Sequence, residues 1–207
     1  MLNDYLADLP LIAILRGVRP AEIIDVGDAL FAAGFRVIEI PLNSPEPLAS
    51  IEKLSAHLGN RALVGAGTVL QPEQVGQVCD AGGRIIVSPN AKPSVIEATV
   101  RAGLASAPGV ATPTEGFAAL DAGAHALKLF PAEAIGPKIV KAWRAVVPAD
   151  VPLMPVGGIS PDNMGEFVAA GATGFGLGSA LYKAGMGADT VVENARAFAD
   201  AWSQLNR

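Results

Sequence analysis

A single cysteine, Cys79, stands in 207 residues, which leaves no internal disulfide and no cysteine metal cluster. It falls in the helix-like stretch 73–81, where a buried, inert thiol is expected. Histidine is nearly as scarce. His57 lies at a helix end and His125 ahead of an apolar run, and neither has a second His or Asp at ligand spacing. The expectation is no metal and no cofactor. Basic excess is also absent: the net charge is −5, which gives no electrostatic footprint for nucleic acid. Charged residues or clustered glycines break every long apolar stretch, so no membrane span is expected. The first residues, Met1-Leu2-Asn3-Asp4-Tyr5, show no basic segment followed by an apolar core, so no signal peptide is expected. A cytoplasmic protein follows as the default.

Apolar content, in contrast, is high at 51%, with 17% charged, which is the balance of a globular chain. A subunit interface is one outlet for so much apolar surface. Short apolar runs alternate with longer amphipathic ones. Strand-like runs occupy residues 11–15, 37–42, 62–69, 84–88, 104–107, 126–130, 153–156 and 174–177. Helices are expected near 20–33, 46–57, 72–81, 93–102, 114–122, 137–147, 161–170 and 188–205. Pro20, Pro72, Pro93, Pro137 and Pro161 mark first turns. An Ala-Gly pair closes five helices, at 33–34, 81–82, 102–103, 122–123 and 170–171, as a left-handed cap requires. One supersecondary unit repeated through the chain predicts an α/β fold: a closed (β/α)8 TIM barrel, single domain, spanning residues 1–207. An open doubly wound sheet is the other arrangement. It usually has a glycine fingerprint after its first strand, where this chain has only Leu15-Arg16-Gly17.

In such a barrel the chemistry sits at the C-terminal ends of the strands. Six lysines occur, and only Lys128 interrupts an apolar run, Ala126-Leu127-Lys128-Leu129-Phe130. Burial lowers a lysine pKa, and a neutral amine attacks carbonyls. Lys128 is therefore either a Schiff-base lysine or a structural cation paired with a buried carboxylate. Glu39 alone among 20 acidic residues lies inside an apolar strand. A Schiff-base reaction needs such a pair, because a carboxylate must move protons while the amine holds the carbon skeleton. Arg16, directly after the first run, can grip a carboxylate or phosphate. Thr68 can donate a hydrogen bond to the same end of a substrate. Gly157, Gly158, Gly178 and Ser179 follow the last two runs, where barrels commonly hold phosphate on backbone N–H groups. The segment Ala180-Leu181-Tyr182 is expected to form one helical turn there.

These segments, taken together, resemble the class I aldolases of 2-keto-3-deoxy-6-phosphogluconate and its galactonate epimer. The resemblance rests on Glu39-Ile40-Pro41-Leu42-Asn43-Ser44-Pro45, Gly65-Ala66-Gly67-Thr68-Val69, Ser88-Pro89-Asn90, Leu127-Lys128-Leu129-Phe130-Pro131-Ala132 and Pro155-Val156-Gly157-Gly158. Segments 12–17 and 178–179 extend it across nearly the whole chain. Asn43 and Val156 stand where the gluconate enzymes usually carry Arg and Thr, and both departures resemble the galactonate branch.

The resemblance implies cleavage of 2-dehydro-3-deoxy-6-phospho-D-galactonate to pyruvate and D-glyceraldehyde 3-phosphate, a step of galactonate degradation. Lys128 would form the imine and Glu39 would shuttle protons. Arg16 and Thr68 would hold the carboxylate, and the four glycine-loop residues the phosphate. Pro89, Phe130 and Val156 would complete the substrate pocket. A homotrimer is implied as well. The phosphogluconate epimer, or both epimers, remains an alternative substrate. A phosphate-binding barrel isomerase or synthase, in which Lys128 acts only through its charge, is the alternative of a different class. A non-catalytic sugar-phosphate-binding barrel is a third.

Overall fold

The structure, a computed structural model, describes residues 2–205. Strands β1 (Leu11–Ile14), β2 (Val37–Pro41), β3 (Leu63–Gly67), β4 (Ile85–Val87) and β5 (Ala105–Ala107) come first. They are followed by β6 (Gly109–Val110), β7 (Leu127–Leu129), β8 (Leu153–Pro155) and β9 (Phe175–Leu177). The helices are α1 (Leu2–Leu6), α2 (Ile23–Ala32), α3 (Pro47–Leu58), α4 (Pro72–Asp80) and α5 (Pro93–Arg101). After them come α6 (Pro113–Asp121), α7 (Ala132–Arg144), α8 (Met164–Ala169) and α9 (Ala188–Leu205). The alternation read from the sequence is present throughout. All five expected Ala-Gly caps are in place, with positive φ at Gly34, Gly82, Gly103, Gly123 and Gly171.

The strands are parallel and curl into two sheets, one ordered β5-β4-β3-β2-β1-β9 and the other β6-β7-β8. Among the described residues the ladder is not one continuous set of eight strands: the fifth run, 104–107, ends before Pro108, which has no N–H to give a ladder, and a further short strand, β6, follows it. The two pieces stay close, since the Lys128 N–H donates to Pro108 O at 3.0 Å. On the other side a single parallel bridge, Val156 to Gly176, links the end of β8 to β9.

Period-two alternation divides the apolar residues between two cores. Leu11, Ala13, Ile38, Ile40, Val64, Ala66, Leu127 and Leu129 face outward and pack under the helices. Ile12, Val37, Leu63, Ile85, Val87, Ala105, Ala107 and Met154 face inward. Leu2 and Leu6 of α1 join this inner cluster and close its lower end. That helix is absent from the expected elements because five residues are too few to show a helical period. The expected helix at 137–147 begins earlier, at Ala132, and passes through a non-helical Gly136 before Pro137. Cys79 is exposed, which corrects the expected burial. On α4 it is Val75 and Val78 that turn inward, and Cys79 lies one step round the helix on the wet side. Among the described residues no helix is long and apolar enough to cross a membrane.

Candidate active site

Inward-facing positions of β2 and β7 carry Glu39 and Lys128, with relative exposures of 2% and 8%. Both sit above the apolar floor formed by Ile12, Val87 and Ala107. Room for the carboxylate comes from Gly67 on the neighbouring strand, where a methyl group would collide with Glu39 Oε2. Burial raises the Glu39 pKa from 4.5 to about 7, against the opposing pull of the Lys128 and Arg16 charges. Burial likewise pushes the Lys128 amine below the ordinary lysine range; the Glu39 carboxylate opposes this and Arg16 adds to it. Glu39 Oε2 is buried without a hydrogen-bond partner. A structural ion pair would have satisfied that oxygen, because an orphaned buried acceptor is costly. The Lys128 Nζ lies 4.9 Å from the Phe130 ring centroid.

Above this pair opens a cavity of about 570 Å³. Ten of the eleven expected site residues line it: Arg16, Thr68, Pro89, Lys128, Phe130, Val156, Gly157, Gly158, Gly178 and Ser179. Glu39, the eleventh, lines the small space directly beneath, together with Lys128 and Val156. Thr68 holds φ of 57°, a left-handed conformation uncommon for a β-branched residue and typical of strain kept at functional positions. Arg16 is oriented by Asn43, whose Oδ1 accepts from Arg16 Nη1 at 2.7 Å. The adjacent Gly17 N–H donates to Ser44 Oγ at 2.9 Å. The β2–α3 connection thereby braces the loop after β1.

The segment after β9 forms the expected single turn, with the Leu181 and Tyr182 N–H groups both donating to Gly178 O. Tyr182 OH then donates to Glu22 Oε1 at 2.9 Å. Burial and the Glu22 carboxylate raise the Tyr182 pKa, so the phenol keeps its proton. The Tyr182–Glu22 bond ties the loops after β1 and β9 together, and Glu22 also pairs with Arg19 of its own loop at 3.1 Å. Sequence reading missed Glu133, Ser160 and Lys183, which also line the cavity, and had Tyr182 only as part of the turn after the last strand. Glu133 and Lys183 follow strand ends closely, and that position was the one available signal. His57 pairs with Asp28 at 2.7 Å between α2 and α3, and His125 Nδ1 accepts the Ser106 N–H. Among the described residues no cluster of three or more His, Cys, Asp or Glu could hold a metal.

A parallel β/α framework with a buried amine and a buried carboxylate beneath an open cavity has the parts that a lyase of the aldolase type uses. The model of the KDPG and KHG aldolase family matches residues 2–195, and the chain belongs to that family. The 2-dehydro-3-deoxy-6-phosphogalactonate aldolase of Escherichia coli (strain K12) is 47% identical over 196 residues, covering 95% of this chain and 96% of the relative. A solved structure described as native KDPGal superposes with a TM-score of 0.94 at 46% identity, covering 96% of each chain. The Legionella pneumophila KDPG aldolase, solved with pyruvate captured as a covalent carbinolamine, superposes with a TM-score of 0.82. It is 28% identical, with 99% of this chain and 98% of that one covered.

Proposed function

We propose that this protein is a class I aldolase that cleaves 2-dehydro-3-deoxy-6-phospho-D-galactonate to pyruvate and D-glyceraldehyde 3-phosphate in galactonate degradation. The observation that carries the reading is the burial of one amine and one carboxylate together beneath an open cavity. The Lys128 amine adds to the C2 carbonyl, and loss of water gives a protonated imine. Glu39 accepts the C4 hydroxyl proton as the C3–C4 bond breaks. The bonding electrons move into the imine as an enamine, and the aldehyde departs. Glu39 returns the proton to C3, and water releases pyruvate from Lys128. Arg16 and Thr68 hold the carboxylate, while Pro89, Phe130 and Val156 wall the carbon chain. The N–H groups of Gly157, Gly158, Gly178 and Ser179 hold the phosphate.

The remaining framework supports this reading. Residues 1–207 are taken as one domain of eight β/α units closed into a TIM-type ring of strands, a (β/α)8 barrel, with β5 and β6 as two halves of one unit. The Val156–Gly176 bridge supports that closure. Exposed Phe117, Ile139 and Val146 are apolar surface of the kind a homotrimer would cover. A cytoplasmic location suits a chain with one exposed, unpaired cysteine.

Borohydride reduction in the presence of pyruvate tests the chemistry. A reduced adduct at Lys128 is expected, and its absence would leave only an electrostatic lysine, as in an isomerase or synthase. The relative kcat/KM for the galactonate and gluconate epimers tests the substrate, with the galactonate form expected to be preferred. Val156 cannot donate a hydrogen bond to a C4 hydroxyl of the other configuration. Val156→Thr is expected to shift that ratio about tenfold toward the gluconate epimer, the scale of one hydrogen bond. An unshifted ratio would place epimer selection elsewhere. Asn43→Ala releases Arg16 and is expected to raise KM about fivefold while kcat changes little. A change confined to kcat would contradict a positioning role.

A further inference from the structure

Glu133 stands where the reading above places the phosphate. Its side chain reaches from the first turn of α7 across Gly157 and Gly158. A methyl group on Gly157 would collide with Glu133 Oε2, and one on Gly158 with Glu133 Cγ. Both glycines hold positive φ, 108° and 65°, so the carboxylate lies against bare backbone. Lys183 lines the same cavity from the loop after β9. A phosphate entering this cavity therefore meets the Glu133 carboxylate in the corner at the glycine pair and a cation elsewhere in the lining. Glu133 itself is exposed, so its side chain is free to move without disturbing the core.

We propose that Glu133 is a specificity-determining residue, an anion tethered over the Gly157–Gly158 peptide that sets how strongly the cavity prefers a phosphorylated chain end. It competes with phosphate for that corner and repels it, while an unphosphorylated hydroxymethyl end meets no such penalty. Lys183, lining the same cavity, offsets the repulsion. The inference rests on the phosphate being held at the glycine pair.

The test compares cleavage of the phosphorylated 2-keto-3-deoxy sugar acid and of its unphosphorylated counterpart by the native protein, Glu133→Gln and Glu133→Lys. The phosphorylated-to-unphosphorylated ratio of kcat/KM is expected to rise about tenfold with Gln and further with Lys, mainly through KM of the phosphorylated substrate. Inorganic phosphate should also inhibit cleavage of the unphosphorylated substrate at lower concentration in both variants. An unchanged ratio with unchanged phosphate inhibition would overturn the role, and so would a falling ratio. A native protein that cleaves neither substrate removes the aldolase reading and this inference together. A native protein that cleaves normally, beside variants that leave the ratio unmoved, removes this inference alone.

Discussion

Lys128→Met is expected to remove cleavage almost completely, by on the order of 10⁵-fold in kcat/KM, and to abolish borohydride trapping of pyruvate. The loss is chemical because nothing else in the cavity can replace the amine. Arg16 keeps its charge and cannot add to a carbonyl. Lys183, the other lysine lining the cavity, is exposed on the loop after β9 rather than buried beside Glu39. The fold should survive the change. Lys128 is held in its ladder by backbone pairing with Gly109 and Met154, which methionine keeps. Methionine also matches the buried length of the lysine stem, and such swaps usually cost under about 1.5 kcal/mol. The abandoned carboxyl is no obstacle. Glu39 already titrates at about 7, and without the Lys128 charge it moves higher and is neutral at pH 7. Turnover and urea midpoints of the two proteins decide the point. A variant retaining more than about one hundredth of native activity would contradict the imine mechanism.

The same two residues show what sequence could disclose. Lys128 and Glu39 were legible because a charge inside an apolar strand is rare and its cost obvious. The glycine sites and Arg16 were legible because the β/α alternation says which strand ends share a face, and the cavity gathers them there. Glu133 and Lys183 were not. Each follows a strand end, yet each reads as an ordinary solvent-facing residue and is indeed exposed, and only the path of the chain brings them to the rim of the cavity. The break at Pro108 depended on ladder geometry rather than on apolar pattern. Cys79 shows the limit of composition: its type favours burial, but its place on α4 beside Val78 decides exposure.

Glu39→Gln should separate the proton-transfer role of this site from imine formation. Cleavage is expected to fall about 10³-fold, the usual worth of a positioned acid-base group, while pyruvate remains trappable on Lys128. In the native protein kcat/KM should rise with pH through about 7, as Glu39 becomes the carboxylate that accepts the C4 hydroxyl proton. The variant should lack that limb. Stability should respond in the opposite sense. The folded-state pKa of about 7 lies above the ordinary value of 4.5, so between these limits the native state holds a proton that the unfolded chain has released. The favourable neutral carboxyl is fully present below pH 4.5 and is lost as pH rises through about 7. The loss amounts to roughly 3 kcal/mol by linkage. Glutamine carries no such proton, so its stability relative to the native protein should improve from pH 4.5 to pH 8. Urea unfolding of both proteins at the two pH values measures this directly. Parallel free energies across that range would mean that Glu39 is not a proton carrier held in the core. A native protein built this way gives up stability at neutral pH to keep an ionisable carboxyl beside the amine, a sacrifice the reaction explains and packing does not.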